Sequence, residues 1–184
     1  LPQDSLLRKA VVISNPLGED FSIMRTISLN GMLTSLSTNF NRRNKNVRLY
    51  ELGNIYLPKQ VPVTELPEER MQFTLGMYGE GDFFTMKGVI EEFLYKAGMK
   101  LKPEYDPEAG KPFLHPGRQA NVVYDGTVIG YLGEVHPTVA ANYAIKERVY
   151  VAVLDMPEIV SRASFDHKYE GIAKFPAAAR DISM

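Results

Sequence analysis

The chain has no cysteine among its 184 residues. Disulfides, thiolate metal sites and cysteine nucleophiles are therefore excluded, and a reducing, cytoplasmic setting fits. Net charge is nearly absent too: 21 lysines and arginines face 22 acidic residues, for a formal charge of −1. Such a chain does not attract nucleic acid as a whole, so any RNA contact has to be local or made by a partner. No apolar run approaches the roughly 18 residues that span a membrane, and no membrane role is expected. The opening LPQDSLLRKA lacks the apolar stretch of a signal peptide, and Leu1 reads as the start of a fragment. Catalytic signatures are missing as well. There is no His-x-x-x-His and no GxSxG. Gly76, Gly79 and Gly81 do not make a phosphate loop, and Gly130 with Gly133 does not make GxGxxG.

What remains is ordinary globular material, 45% hydrophobic and 23% charged, long enough for one sizeable core or one domain plus a fragment. Val11–Ser14 reads as a short strand ended by Asn15-Pro16-Leu17-Gly18. Leu29, Met32, Leu33, Leu36 and Phe40 keep helical spacing, which predicts a helix over 28–42 with the Ser28 hydroxyl as N-cap. Arg42, Arg43 and Lys45 then complement the helix dipole. Val47–Leu57 is β-prone with apolar residues on both faces, which predicts a central strand. A loop from Pro58 to about Glu69 leads to a returning strand at Met71–Tyr78.

A second amphipathic helix carries Met86, Val89, Ile90, Phe93, Leu94 and Ala97, with Asp82 or Thr85 to cap it and Gly98 to end it. Residues 99–118, with four prolines, read as irregular. Asp125-Gly126 predicts a hairpin between Arg118–Tyr124 and Thr127–Leu132. A short helix from Pro137 through Tyr143, a strand at Val149–Leu154 and a helix at Pro157–Arg162 complete the order. Hairpins without βαβ alternation predict an α+β fold, an antiparallel sheet with helices mainly on one face.

Three groups of residues invite a chemical reading. Glu134 and His136, in YLGEVHPT, could be an acid–base pair or half a metal site. The plainer reading has Gly133 at a tight bend, His136 near a helix cap and Pro137 opening the helix. Arg118, in HPGR, could grip a phosphate or carboxylate, or lie idle on the surface. Arg42, Arg43, Lys45 and Arg48 form a basic cluster that suits RNA or phosphate, or simply a solvated helix end. These local patterns alone define a soluble α+β domain and no activity.

Taken in order, six segments do more. NPLGEDFSIMRTISLNGMLTSLSTNFNRR, VRLYELGNIYL, DFFTMKGVIEEFLYKAG, HPGRQANV, IGYLGEVHPTV and YEGIAKFPAAARDISM run from about residue 11 to 184. Together they resemble the β subunits of bacterial phenylalanyl-tRNA synthetases. The resemblance implies that residues 1–165 form a class II synthetase-like domain without catalytic activity. It implies that 166–184 is a linker and the first stretch of a ferredoxin-like, anticodon-binding-type domain, with Lys174–Met184 poorly anchored. The helix after MRT corresponds to the family's motif 1, which builds subunit interfaces, and the strand pair around the 58–69 loop to motif 2.

Active relatives hold the ATP α-phosphate with an Arg-x-Glu pattern in motif 2. Here Arg48 and Glu51 are spaced Arg-x-x-Glu, which puts them on opposite faces of a strand. The motif 3 equivalent, RVYVAVLDMPEIV, lacks both the glycines and the arginine that grips ATP. GEVHP corresponds to a fold marker rather than a reactive pair. The resemblance thus implies no catalytic, cofactor or metal residue in this chain, with ATP and Mg2+ belonging to the parent complex. It implies pairing with a catalytic α subunit in an α2β2 enzyme, and tRNA contact through that assembly. Arg42, Arg43, Arg48 and Arg118 are the candidate contacts to RNA or to the partner. Two rival readings stay open at this point: a self-contained adenylate-forming enzyme with a degenerate site, and an RNA-binding module working through residues 42–48.

Overall fold

The computed structural model describes residue 3 and residues 5–165. After two 3-10 turns at Leu6–Arg8 and Glu19–Phe21, the elements are α1 (Leu29–Asn41), β1 (Val47–Leu57), β2 (Glu68–Tyr78), α2 (Phe83–Lys96), β3 (Glu104–Asp106), β4 (Leu114–Tyr124), β5 (Thr127–Val135), α3 (Pro137–Asn142), β6 (Val149–Asp155) and α4 (Met156–Arg162). The strands form one sheet in the order β1-β2-β6-β5-β4-β3. Every neighbouring pair is antiparallel. The α+β class holds, and β6, the last strand among the described residues, slots into the middle of the sheet.

That insertion explains why both faces are covered, against the expectation of helices mainly on one face. β6 reads VYVAVLD and is buried from Val149 to Leu154, so each of its faces needs an apolar partner. Val149, Val151 and Val153 pack with Leu29, Met32, Leu33 and Leu36 of α1 and Ala140 of α3. Tyr150, Ala152 and Leu154 pack with Met86, Ile90 and Leu94 of α2 and Ile159 of α4. Leu36 and Ile90 are fully buried, and each contributes roughly 1.5–3 kcal/mol by leaving water. Close approach of α1 requires Gly76 on β2, because a Cβ there would sit 2.7 Å from Met32 Cγ and 2.9 Å from Leu36 Cδ1.

β1 is an edge strand rather than a central one. Its odd-numbered side meets α1 through Val47 and Leu49. Its other side leaves Tyr50 74% and Leu52 54% exposed, so the apolar residues on both faces do not signal two covered faces. The N-terminal arm closes part of this edge. Tyr56 N–H donates to Arg25 O at 2.9 Å, and Arg25 Nε donates to Asn54 O at 2.7 Å.

Other boundaries shift for identifiable reasons. Val11–Ser14 makes a single bridge, Val12 to Ile23, rather than a strand. Ser28 does not cap α1; its hydroxyl donates to Gln72 Oε1 at 2.8 Å and accepts from Thr74 Oγ1 at 2.7 Å. The 99–118 stretch contains β3 and the start of β4 despite its prolines, with register shifts between Leu114 and Gln119 absorbing Pro116 and Gly117. At α2 the cap is a reciprocal box: Thr85 N–H donates to Asp82 Oδ1 at 2.8 Å, and Asp82 N–H donates to Thr85 Oγ1 at 3.2 Å. Asp125 and Gly126, at φ 48° and 71°, make the expected hairpin turn. His167 and the Lys174–Met184 stretch lie outside the described residues.

Candidate functional site

Sheet register gathers the chemically interesting residues at one end. Val47 faces Tyr78, which faces Val149. One row further in, Arg48 faces Met77, Met77 faces Tyr150, and Tyr150 faces Glu134. Gln119 faces Gly133, which brings Arg118 to the same end. The α1–β1 loop, the loop before β6, the start of β4 and the end of β5 therefore share one edge of the molecule.

Glu134 is only 3% exposed. Arg118 Nη1 donates to both of its oxygens, at 3.0 and 2.9 Å, and Arg148 Nε lies 4.0 Å away. A carboxylate held this far from water needs such a cation, because burial penalises the ionised form. His136 does not join it. Its Nδ1 accepts from Thr138 N–H at 3.2 Å and caps α3, so the GEVHP segment forms no acid–base pair. Nor does Gly133 make a tight bend. It lies within β5, where a Cβ would come 2.8 Å from Arg118 O. The residues opposite come too close for any side chain, which is the physical need for glycine at this position.

His115, distant in sequence, lines the same cleft as Arg118, Glu134, Lys146 and Arg148, a space of about 650 Å3 floored by Val135, Ala140 and Ile145. Among the described residues no three His, Asp or Glu side chains converge to hold a metal ion. The pairing of Arg118 with Glu134 was not anticipated from the sequence. One signal pointed that way: a lone carboxylate inside the apolar run of β5 demands a cation from a neighbouring strand.

The basic cluster sits just beyond α1 rather than in its last turn. Arg42 is the C-cap. Arg43 N–H donates to Phe40 O at 2.9 Å and Asn44 N–H to Asn39 O at 3.2 Å, a Schellman ending with Arg43 in the left-handed position at φ 61°. The loop is pinned from below. Tyr78 Oη donates to Asn44 O at 2.8 Å, and Glu80 N–H donates to Asn46 Oδ1 at 2.9 Å. Burial, and then the charge of Glu147, push the Tyr78 phenol above its ordinary value. Arg42, Arg43 and Lys45 are exposed. Arg48 Nη2 donates to Glu80 O at 3.3 Å. Glu51, on the opposite face of β1, pairs instead with Arg25 Nη1 at 2.5 Å.

No helix among the described residues is long and apolar enough to cross a membrane. A family model described as the phenylalanyl tRNA synthetase beta chain CLM domain matches residues 1–156. The chain is 44% identical over its whole length to the phenylalanine–tRNA ligase beta subunit of Clostridium acetobutylicum, of which it spans 23%. It is 41% identical to the same subunit of Clostridium tetani, again spanning 23% of it. The chain thus covers about a quarter of these curated relatives. A solved pyrrolysyl-tRNA synthetase from Desulfitobacterium hafniense superposes with a TM-score of 0.66 over 87% of this chain and 55% of that one, at 12% identity, a likeness of fold. By the family model and the identities over its full length, the chain belongs to the phenylalanyl-tRNA synthetase beta chain CLM domain family.

Proposed function

We propose that this chain is a non-catalytic scaffold domain with a class II synthetase fold. It pairs with the catalytic α subunit of phenylalanine–tRNA ligase, and the α2β2 assembly joins phenylalanine to its tRNA with ATP in the cytoplasm. The observation that carries this reading is the state of the nucleotide-gripping positions. Arg48 is turned onto the Glu80 carbonyl, while Glu51 is paired with Arg25 on the other face. On Arg48's face the sheet is covered from β2 onward by α2, with Phe73 stacked on Phe93 at 4.4 Å between ring centroids. These positions do not fit ATP: the Arg48 guanidinium is turned onto a backbone carbonyl rather than left to clamp an α-phosphate, and a ring of the chain's own occupies the sheet surface.

The pairing half of the reading rests on surface. Val12, Leu17, Phe21 and Ile23 of the N-terminal arm are 71%, 99%, 67% and 57% exposed. The outward side of α1, formed by Asn30, Gly31, Thr34, Ser35 and Thr38, bears no charge. Between the arm, α1 and α3 runs a cleft of about 770 Å3 that includes Ile23, Leu33, Phe113 and Tyr143. An apolar arm beside an uncharged helix face suits a protein partner.

Isothermal titration calorimetry of the chain with ATP·Mg2+ and, separately, with L-phenylalanine tests the non-catalytic half. No saturable heat at micromolar ligand is expected. Saturable binding of either, or ATP–pyrophosphate exchange by the purified chain, would sink the reading in favour of a degenerate but working synthetase.

A further inference from the structure

The cleft of about 650 Å3 beside Glu134 is apolar at its floor and cationic at its rim. α3 ends with Ala144 in the left-handed region at φ 57°, and Ile145 N–H donates back to Ala140 O at 3.1 Å. That reversal tucks Ile145 under the cleft, where it is buried in one cluster with Val135 and Ala140. The exposed side chains of Arg118, Lys146 and Arg148 line the cleft above this floor, together with His115. A concave space of this size, apolar with a few convergent polar groups, has the form of a small-molecule site.

The way Arg118 is held adds an independent observation. Nη1 alone makes both bonds to Glu134. Its other two nitrogens, Nε and Nη2, make no hydrogen bond among the described residues. Those two carry the parallel N–H pair that matches a carboxylate. A buried ion pair is weak evidence for stability; here it fixes a guanidinium by one nitrogen and leaves the fork free. Arg148 Nε lies 4.0 Å from Glu134 Oε1, with its side chain 67% exposed, so a second guanidinium stands beside the first. His115 Nδ1 accepts from Gly117 N–H at 3.2 Å, which puts the ring proton on Nε2 as a further donor. The acids of the cleft are Glu134, already engaged, and Glu147, which faces both Lys146 and Arg148 as cations. The surplus charge in the cleft is therefore positive.

We propose that this cleft binds a small organic acid, with its carboxylate on the free fork of Arg118 beside Arg148 and a short apolar body over Val135, Ala140 and Ile145. An inorganic anion would leave the apolar floor unused, and an uncharged apolar molecule would leave the fork unused. One free fork suits a monocarboxylate better than a polyphosphate, which needs several cations around it. The site does not rest on the pairing proposed above, so either can fail without the other.

Titration of the 15N-labelled chain with hexanoate, read from its backbone amide shifts, tests the proposal. Saturable shifts are expected at Val135, Ala140, Ile145 and Arg148, with half-saturation at about 1 mM. Acetate should bind at least about tenfold more weakly, because it leaves the floor bare. Hexanamide should also bind about tenfold more weakly, because it brings no charge to the fork. Arg118→Lys keeps a cation for Glu134 but loses the fork, so it should weaken hexanoate about tenfold and leave hexanamide unchanged. Arg148→Ala, at an exposed position, should weaken hexanoate about threefold, while R42A/R43A, outside the cleft, should leave it intact. The proposal is overturned by absent saturation at about 10 mM hexanoate, by equal binding of hexanoate and hexanamide, or by unchanged affinity in both Arg118→Lys and Arg148→Ala. Inorganic phosphate binding as well as hexanoate would overturn it as well, marking a general anion site. So would a short peptide with a free C-terminal carboxylate that binds about tenfold tighter than hexanoate, which marks a partner's chain end instead.

Discussion

Glu134 and Arg118 show how one buried charge organises its neighbourhood. The carboxylate is 3% exposed and both oxygens accept from a single guanidinium nitrogen. Deleting the arginine leaves an uncompensated buried charge, whereas deleting both partners does not. Arg118→Ala should destabilise the chain by about 2 kcal/mol, below the range for fully buried pairs because the Arg118 side chain is 43% exposed. In a Glu134→Gln background the same change should cost less than about 0.5 kcal/mol. Urea unfolding of the four proteins gives the coupling. Equal losses in both backgrounds contradict the pairing. The residues of this site were legible in the sequence but their partnership was not. Counting outward from Asp125-Gly126 pairs Gln119 with Leu132, yet the register shift between Val122 and Val123 pairs it with Gly133. One residue of slip moves every later side chain to the other face, and nothing in VVYDGTVI announces it. Arg43 was legible as a basic residue past a helix, but not as the left-handed residue of its ending, because glycine is the usual sign of that conformation.

At the scale of elements, α1, α2, β2 and the Asp125-Gly126 hairpin were readable because local periodicity and turn chemistry decide them. The position of β1 was not readable. An edge strand and a central strand both tolerate apolar residues on two faces, and the difference lies far along the chain in β6 (Val149–Asp155), which takes the middle of the sheet. The covering of both sheet faces follows from the same insertion. The cap of α2 makes a prediction with a definite sign. The Thr85 N–H, and then its hydroxyl, hold the Asp82 carboxyl below its ordinary value of 3.8. A carboxyl with a lowered folded-state pKa stabilises the fold above its unfolded value, and that contribution is lost as pH falls through the folded one. Thermal melts should therefore fall between about pH 4 and pH 2 more steeply for the parent chain than for Asp82→Asn, which keeps a cap but no titrating group. Identical slopes for the two proteins contradict a role for the ionised cap.

At the scale of the whole molecule, two surfaces of opposite character stand apart. The exposed apolar residues of the N-terminal arm adjoin the uncharged face of α1, while the exposed cations Arg42, Arg43, Lys45, Lys146 and Arg148 collect past the C-terminal end of α1 and before β6. Composition could not reveal this separation, since a net charge of −1 averages over it. Family membership was legible in the order of six segments spread over the whole chain, because spacing between motifs carries information that each motif alone does not. The central claim is that this domain holds a surface for the catalytic subunit without a nucleotide site of its own. Size-exclusion chromatography with light scattering, on the chain mixed with the catalytic α subunit from the same source, tests it most directly. The account predicts one co-eluting species whose mass contains both chains. Separate elution at micromolar concentration, under conditions where the full-length β subunit does co-elute, contradicts it.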